Sequence, residues 1–241
     1  MPVICHQYPC RDDNYGVLVH DEATGQTALI DVPEEMATRQ AIEATGWTPT
    51  HIFITHHHAD HIDGVGGIRS SFNVNVVGNA ADAHRLPRLD TSVDPGDTVM
   101  LGETAFEIID TPGHTIGHIA YVSRQEKLAF VADTLFAMGC GRMFEGTPQL
   151  FFASLQKLAD LDPDTLIYAG HEYTQSNMAF ALSLDPGNAA LKVHSEEIDA
   201  LRAAGKPTLP TKLATELALN PFLRAKSAEE FGRLRAAKDN F

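Results

Sequence analysis

The sequence contains few cysteines, and none of them has the spacing of a metal or redox motif. Among the 241 residues are three cysteines, Cys5, Cys10 and Cys140, with no Cys-x-x-Cys pair. Disulfide-stabilised domains are rich in cysteine, and closed structural zinc sites are commonly built from thiolates. We therefore exclude a disulfide framework and a thiolate zinc site, and we expect a reducing compartment.

Long apolar runs and clustered basic charge are also lacking. No apolar stretch reaches transmembrane length, and the N-terminal segment lacks the basic and apolar regions of a signal peptide. The chain has 18 Lys and Arg against 32 Asp and Glu, which gives a formal net charge of -14. Because nucleic acids and anionic membranes attract clustered basic residues, we expect neither as a partner. We expect a cytoplasmic monomer that acts on a small molecule.

The composition is that of a globular protein, with 44% hydrophobic and 21% charged residues. A helix is predicted from about Glu34 to Thr45, ending at Gly46, and another begins at Thr147 and Pro148. These segments alternate with apolar runs, which indicates a layered α/β sandwich. The runs predict strands at 14–20, 27–31, 52–54, 73–77, 99–101, 105–109, 119–122, 128–132 and 165–169.

After about residue 172 the sequence becomes helical in character. Ala, Leu, Glu, Lys and Arg recur at helical spacing, and the pattern is interrupted at 185–187 and 205–207. Ser227 and Glu230 have the spacing of a capping box at the start of a final helix. We therefore predict a main domain at 1–172 and a smaller helical domain at 173–241.

A histidine-rich segment, Thr-His-His-His-Ala-Asp-His at 55–61, follows the predicted strand 52–54. In extended backbone His56 and His58 point the same way and can bind one ion together. Asp60 and His61 lie beyond a turn and face another direction, which suits a second ion. Imidazole and carboxylate ligands suit zinc, iron or manganese. The alternative is a solvent-exposed histidine-rich turn with no function.

Three further strand ends carry a histidine or an aspartate. His114 lies in a Pro-Gly turn after strand 105–109, Asp133 follows strand 128–132, and His171 follows strand 165–169. His118 is interpreted as a structural histidine, and His57 as a neighbour of the ligands or a solvent-facing residue. The predicted assignment places His56, His58 and His114 on one ion, Asp60, His61 and His171 on the other, and Asp133 between them.

These residues together resemble a known superfamily. The segment 55–61, the Thr-Pro-Gly-His-Thr-Ile-Gly-His turn at 111–118, Asp133 and Gly170-His171 are similar to the motifs of the metallo-β-lactamase superfamily. The resemblance implies a four-layer αββα sandwich of the α/β class with a dinuclear metal site, here followed by a smaller C-terminal helical domain. It does not define the reaction, since one fold hosts many chemistries.

Three stretches narrow the resemblance to the glyoxalase II family, the hydroxyacylglutathione hydrolases. They are Gly-Cys-Gly-Arg-Met-Phe-Glu-Gly-Thr at 139–147, Gly-His-Glu-Tyr-Thr at 170–174 and Asn-Pro-Phe-Leu-Arg at 220–224. The resemblance implies that the helical domain helps to bind glutathione. The chain departs from relatives that have Lys and Tyr where Arg142 and Phe144 stand, and a small Gly where Asp63 stands. The implied glutathione-binding residues are Arg142, Tyr173, Arg224 and Lys226.

The implied activity is hydrolysis of a glutathione thioester. Two divalent ions, zinc foremost with iron or manganese as alternatives, would lower the pKa of a water to roughly 7 and stabilise the oxyanion. Asp133 would bridge the ions and Asp60 would orient the nucleophile. With S-D-lactoylglutathione as substrate, the products would be glutathione and D-lactate.

Other functions remain open at this point. A persulfide dioxygenase on the same fold uses one iron held by two His and one Asp, and it has a similar His-x-His-x-Asp-His segment. Hydrolysis of a lactone or β-lactam is a second alternative. A non-catalytic metal-binding module is a third, although open positions at a two-metal site favour chemistry.

Overall fold

The chain begins with an antiparallel hairpin that extends into a parallel sheet. The computed structural model describes residues 3–241, so residues 1 and 2 of the predicted main domain lie outside the described residues. Strands β1 (Val3–Cys10), β2 (Asn14–Asp21) and β3 (Gln26–Ile30) pair antiparallel. Strand β1 is not predicted from the sequence, because its mixture of Cys, His, Gln and Pro shows no apolar alternation.

Parallel strands complete this first sheet. Strands β4 (His51–Phe53), β5 (Asn75–Asn79) and β6 (Thr91–Val93) follow β3, so that the strand order is β1-β2-β3-β4-β5-β6. The buried strand before the histidine-rich segment therefore lies inside a sheet, as the sequence predicts, with Leu29 beside Ile52. The segment leaves the sheet at the carboxyl end of β4, where parallel sheets commonly place functional residues.

Helices pack on one face of the first sheet. Helix α1 (Glu35–Thr45) ends at Gly46, whose left-handed φ of 71° lets its N–H donate to Ile42 O, as predicted from the sequence. Helices α2 (Ala59–Ile62) and α3 (Val65–Ser71) follow β4. The apolar faces of the helices and the sheet form one core, which includes Leu29, Ala41, Ile42, Ile52, Ile54, Val65 and Ile68.

A second sheet supplies the other half of the sandwich. It contains β7 (Thr98–Leu101), β8 (Thr104–Asp110), β9 (Ile119–Ser123), β10 (Leu128–Ala132), β13 (Leu166–Ala169) and β14 (Thr211–Lys212), in the order β14-β13-β10-β9-β8-β7. Strands β11 (Leu135–Phe136) and β12 (Gly139–Cys140) form a short hairpin outside it. Aromatic rings connect the sheets, since Tyr121 stacks on Phe53 at 4.9 Å and its hydroxyl donates to Ile54 O over 2.9 Å. The mixed α/β class is confirmed.

Residues 3–241 form two compact units. The first runs to Asp110 and includes Gly117–Phe130, and the second comprises Thr111–Ile116 and Val131–Phe241. This division differs from the domain boundary near residue 172, which stays a prediction. In the described part of the chain, every helix is too short or too polar to cross a bilayer.

The second unit is mainly helical. It contains α4 (Pro148–Ala159), α5 (Thr174–Leu184), α6 (Ala189–Ala203), α7 (Leu213–Leu219) and α8 (Ala228–Asp239). Helices α4 and α8 pack through Phe151 and Phe231, whose ring centroids lie 5.4 Å apart. The predicted helix starts are confirmed, since Thr147 Oγ1 accepts from Leu150 N and Ser227 Oγ accepts from Glu230 N.

Candidate metal centre

The first unit gathers three histidine rings of the predicted ligand set. His56 and His61 are fully buried and His58 is half-buried. The ring of His56 lies 4.8 Å from that of His58 and 4.1 Å from that of His61, measured between centroids. The sequence predicts a turn before Asp60 and His61, whereas both residues lie in the short helix α2, which follows the extended backbone of His58.

Asp31, at the end of β3, is a functional residue that the sequence analysis missed. Its buried carboxylate accepts hydrogen bonds from Thr55 N and Thr55 Oγ1, both over 2.8 Å, and from His61 Nδ1 over 2.7 Å. Asp31, His56 and His61 offer ligand atoms close enough to share an ion. These hydrogen bonds engage both carboxylate oxygens and hold the His61 ring by Nδ1, so Nε2 is the nitrogen that a metal ion would use.

Asp60 is held by a second residue that the sequence analysis missed, Asn14. Asn14 Nδ2 donates to Asp60 Oδ2 and to the Asp60 carbonyl oxygen, both over 3.1 Å. Asp60 Oδ2 also lies 3.8 Å from His61 Nε2. The only signal for Asn14 in the sequence is its place at the start of a predicted strand, which gives no reason to single it out.

The remaining histidines of this region have structural partners. His57 Nδ1 lies 3.4 Å from the buried carboxylate of Asp82, and Arg85 Nε donates to the same carboxylate over 2.6 Å. The ring of His118, just before β9, stacks on His56 at 4.7 Å. His118 is therefore placed to fix the orientation of a predicted ligand.

Asp63, which the family resemblance implies is a departure, forms an ion pair within the first unit. Its Oδ2 lies 2.6 Å from Arg11 Nη2, and Arg11 Nε also donates to Pro33 O over 2.9 Å. Both charged side chains are substantially exposed, so the pair contributes little to stability. The ion pair thus connects the end of α2 with the turn between β1 and β2.

The second unit places two predicted histidine ligands around the predicted bridging carboxylate. Asp133 Oδ2 lies 3.3 Å from His114 Nε2 and 3.4 Å from His171 Nε2, and all three residues are buried. His114 Nδ1 lies 2.9 Å from the carbonyl oxygen of Arg142. A carbonyl can only accept, so this bond makes Nδ1 the protonated nitrogen and leaves the Nε2 lone pair to bind a metal.

Gly141 permits the backbone to pass close to these residues. A Cβ atom at this position would overlap the Asp133 carbonyl oxygen and would lie 3.1 Å from His114 Nδ1. Real Cβ atoms do not overlap a backbone oxygen as the one at Asp133 would be overlapped here, so the segment requires a residue without a side chain. The Gly-Cys-Gly stretch seen in the sequence therefore has a steric basis.

The predicted glutathione-binding residues also lie in the second unit. Tyr173 stacks on His171 with the rings 4.8 Å apart and inclined by 5°, and it is partly exposed. The Arg142 guanidinium is exposed and lies 5.8 Å from the ring of Phe144. Arg224 and Lys226 are exposed in the turn before α8, where their positive charges are open to solvent. None of these contacts tests whether the four residues bind glutathione, so that role stays a prediction.

Comparison with known proteins identifies the family. Residues 14–171 match the model of the metallo-beta-lactamase superfamily, and residues 172–241 match that of the hydroxyacylglutathione hydrolase C-terminus. The chain is 48% identical to a hydroxyacylglutathione hydrolase of Mesorhizobium japonicum, with all of both chains covered. It is 54% identical to one of Acidiphilium cryptum, covering 97% of this chain and 95% of the relative. The chain belongs to the hydroxyacylglutathione hydrolase family.

Solved structures confirm the fold that the family resemblance implies. ETHE1 from Myxococcus xanthus is 30% identical with a TM-score of 0.74, covering 97% of this chain and 90% of that one. The protein TTHA1623, solved in a di-iron-bound form, is 23% identical with a TM-score of 0.63, covering 87% and 95%. This hydroxyacylglutathione hydrolase family member therefore has the metallo-β-lactamase fold with a helical C-terminal region.

The side chains of this family member fit a divalent metal. The donor set combines imidazole nitrogens with carboxylate oxygens, which suits zinc, iron and manganese. Two of the imidazoles, His61 and His114, have Nδ1 engaged by a carboxylate and a backbone carbonyl respectively, the arrangement that orients metal-binding histidines. The family and these groups together indicate divalent metal binding.

Proposed function

We propose that the chain hydrolyses S-(2-hydroxyacyl)glutathione thioesters, with S-D-lactoylglutathione as the main substrate and glutathione and D-lactate as products. The observation that carries the proposal is the match along the whole chain to relatives named hydroxyacylglutathione hydrolase. The C-terminal match supports the same substrate, because it covers the region that contains Tyr173, Arg224 and Lys226.

We propose two divalent ions per chain, with zinc as the metal and iron or manganese as alternatives. The orientation of His61 by Asp31 and of His114 by the Arg142 carbonyl supports ligand roles for both histidines. The position of Asp133 Oδ2 near two histidines supports its role as a bridge. The proposed ligands are His56, His58 and His114 for one ion and Asp60, His61 and His171 for the other. Asp133 is proposed as a ligand of both.

The proposed mechanism assigns the two aspartates to the reaction. When bound, divalent ions lower the pKa of a coordinated water and polarise the carbonyl that is attacked. Asp60, held by Asn14, can accept a hydrogen bond from the attacking water and so orient it toward the thioester. Asp133 is buried with its carboxylate between histidine rings, where its negative charge offsets the positive charge gathered in the site. The departing thiolate needs no general acid, because the pKa of its conjugate thiol is ordinarily about 8.5.

Glutathione offers two carboxylates, and the proposed binding residues are cations and an aromatic ring. Arg142 has an exposed guanidinium that can donate two parallel hydrogen bonds to a carboxylate. Arg224 and Lys226 add exposed positive charge in the turn before α8. Tyr173 presents a phenol next to His171, within reach of a ligand bound there. We propose residues 173–241 as the helical substrate-binding domain and 1–172 as the catalytic domain.

Every proposed ligand and binding residue belongs to one chain, and we therefore propose that the monomer is active. Light scattering on the purified, metal-loaded enzyme at assay concentration tests this point. The cytoplasmic location stays a prediction from the sequence.

The decisive experiment compares two reactions on protein whose metal content has been counted. Thioester loss is followed with S-D-lactoylglutathione, and oxygen uptake is followed with glutathione persulfide. Rapid thioester loss with two metals per chain is expected. Oxygen uptake with one iron and no thioester loss would contradict the proposal and support the persulfide dioxygenase alternative.

A further inference from the structure

Arg235 is a buried cation in the last helix, and its hydrogen bonds reach across the second unit. The residue is 6% exposed, and its Nη1 donates to Cys140 O over 2.8 Å and to Gly141 O over 3.3 Å. Its guanidinium carbon also lies 5.2 Å from the ring of Phe222. Burying a guanidinium is costly unless its donors are satisfied. Both terminal nitrogens of Arg235 are engaged, Nη1 by the two carbonyls and Nη2 by Asp239, while Nε has no hydrogen-bond partner within residues 3–241.

The segment that Arg235 holds, residues 139–142, serves two parts of the proposed active site. The Arg142 carbonyl accepts from His114 Nδ1 over 2.9 Å and so orients a proposed metal ligand. The Arg142 side chain, on the same residue, is a proposed glutathione-binding group. A shift of this segment would therefore disturb metal binding and substrate binding together.

Asp239 connects Arg235 to the Arg142 side chain. Its Oδ1 accepts from Arg235 Nη2 over 3.0 Å and lies 3.4 Å from Arg142 Nε. The aspartate contacts Arg142 at Nε, and the Arg142 side chain remains 59% exposed and accessible to a ligand. One turn of α8 thus contacts both the backbone and the side chain of the segment.

We propose that Arg235 and Asp239 are positioning residues for the hydrolytic reaction. Arg235 fixes the backbone of 139–142 so that the Arg142 carbonyl orients His114, and Asp239 fixes the Arg142 guanidinium for a substrate carboxylate. The inference deepens the proposed function and rests on it for the substrate part. The part that concerns His114 depends only on metal binding.

The experiment compares Arg235→Lys, Asp239→Asn and the control Arg233→Lys, which alters an exposed arginine of the same helix. Each full-length variant is freed of metal and titrated with zinc against a chromogenic chelator. Lysine keeps the charge of Arg235 but cannot hold two carbonyls with one planar group. We expect Arg235→Lys to lower the zinc affinity of the weaker of the two sites about tenfold. This is the lower end of the range expected when a residue that orients a metal ligand is changed.

Kinetics with S-D-lactoylglutathione separates the two roles. In Arg235→Lys we expect KM to rise about tenfold, the effect of losing one charge-assisted hydrogen bond. We expect kcat to return to the wild-type value when zinc is saturating. In Asp239→Asn we expect KM to rise roughly two- to fivefold, the scale of a partly exposed ion pair, with zinc affinity unchanged. Arg233→Lys should match the wild type in both measurements.

A purely structural role for Arg235 would give a different result. Thermal unfolding is measured on every variant, and a lower midpoint in Arg235→Lys with wild-type zinc affinity and KM would overturn the inference. An unchanged or lower KM in Asp239→Asn would also overturn it, and this exposed substitution is not expected to prevent folding. If the wild type binds zinc but does not cleave the thioester, the proposed function fails, while the zinc titrations still test the orientation of His114.

Discussion

Asp31 and His61 form a buried pair in which His61 Nδ1 donates to Asp31 Oδ2 over 2.7 Å. The aspartate has a left-handed backbone with φ of 54°, a conformation that Asp and Asn adopt more readily than most residues. The exchange Asp31→Asn therefore keeps the backbone while it removes the charge. It also replaces one hydrogen-bond acceptor with a donor.

We expect Asp31→Asn to lower metal affinity by about ten- to a hundredfold, because the orientation of His61 is lost. Competition of the metal-free variant with a chelator for zinc measures this. Asp63→Asn is the matched control, since Asp63 is an exposed aspartate that pairs with Arg11 outside the ligand set. Equal zinc affinities in the two variants would contradict the role assigned to Asp31.

Gly141 allows a second prediction. In Gly141→Ala the new methyl group would overlap the Asp133 carbonyl oxygen, so the backbone must move. We expect a loss of about 1–3 kcal/mol in the free energy of unfolding, as for overpacked cores, and weaker metal binding. Gly187→Ala is the control, because its Cβ meets no atom within 4 Å. Urea unfolding of both variants tests the prediction, and similar stabilities would refute the steric argument.

Glu216 predicts a dependence of stability on pH. Its carboxyl group is fully buried and accepts from Met138 N over 2.8 Å and from Thr211 Oγ1 over 2.7 Å. Burial raises the pKa of this carboxyl above its ordinary value of 4.5, although the hydrogen bonds oppose the shift. The folded state therefore holds the proton to higher pH than the unfolded state does. The resulting penalty on stability grows as pH rises above about 4.5 and stops growing above the folded-state pKa.

The substitution Glu216→Gln removes this titration. We expect the free energy of unfolding of the wild type to fall relative to that of Glu216→Gln above pH 4.5, by up to about 1.4 kcal/mol per pH unit. Urea unfolding from that pH to neutrality measures the difference. Glu229→Gln, which changes an exposed glutamate of α8, should parallel the wild type. If the free energy of unfolding changed with pH in the same way for all three proteins, Glu216 would titrate as an exposed glutamate does, and the prediction would be wrong.

The three thiols should differ in reactivity. Burial raises the pKa of Cys10 to about 12 and that of Cys140 to about 11, and both residues are buried, whereas Cys5 is half-buried. Since the thiolate is the reactive form, we expect a disulfide reagent to modify Cys5 first and the other two only after unfolding. Peptide mapping of the labelled protein checks this order. Early labelling of Cys140 would show that the segment it belongs to opens in the native state.

The sequence predicted what depends on local pattern. Apolar runs bounded by turn residues located most strands, and helix-terminal residues such as Gly46 and Thr147 located helix ends. The predicted ligands were found because His and Asp at strand ends form a recognisable set. Within each unit these residues lie close together, as His56 does to His61 and as Asp133 does to His114.

The sequence could not predict what depends on tertiary contacts. Asp31 and Asn14 stand at strand ends in the sequence, and their importance arises only where the fold brings them to His61 and Asp60. The short helix α2 was missed because four residues carry too little periodicity. Arg235 reads as one charge on a polar helix, and its burial depends on packing against distant segments.

The hydrogen bond from His114 to residue 142 uses a main-chain carbonyl, which every amino acid possesses. The identity of the side chain at 142 is therefore uncoupled from the orientation of the histidine. Under the glutathione-binding role proposed for Arg142, a substitution at this position would change substrate binding while the carbonyl that orients His114 is kept. The adjacent Gly141 has no such freedom, since any side chain there meets Asp133. Two neighbouring codons thus have opposite tolerance: residue 142 can change without loss of the hydrogen bond to His114, whereas residue 141 cannot gain a side chain without a clash at Asp133.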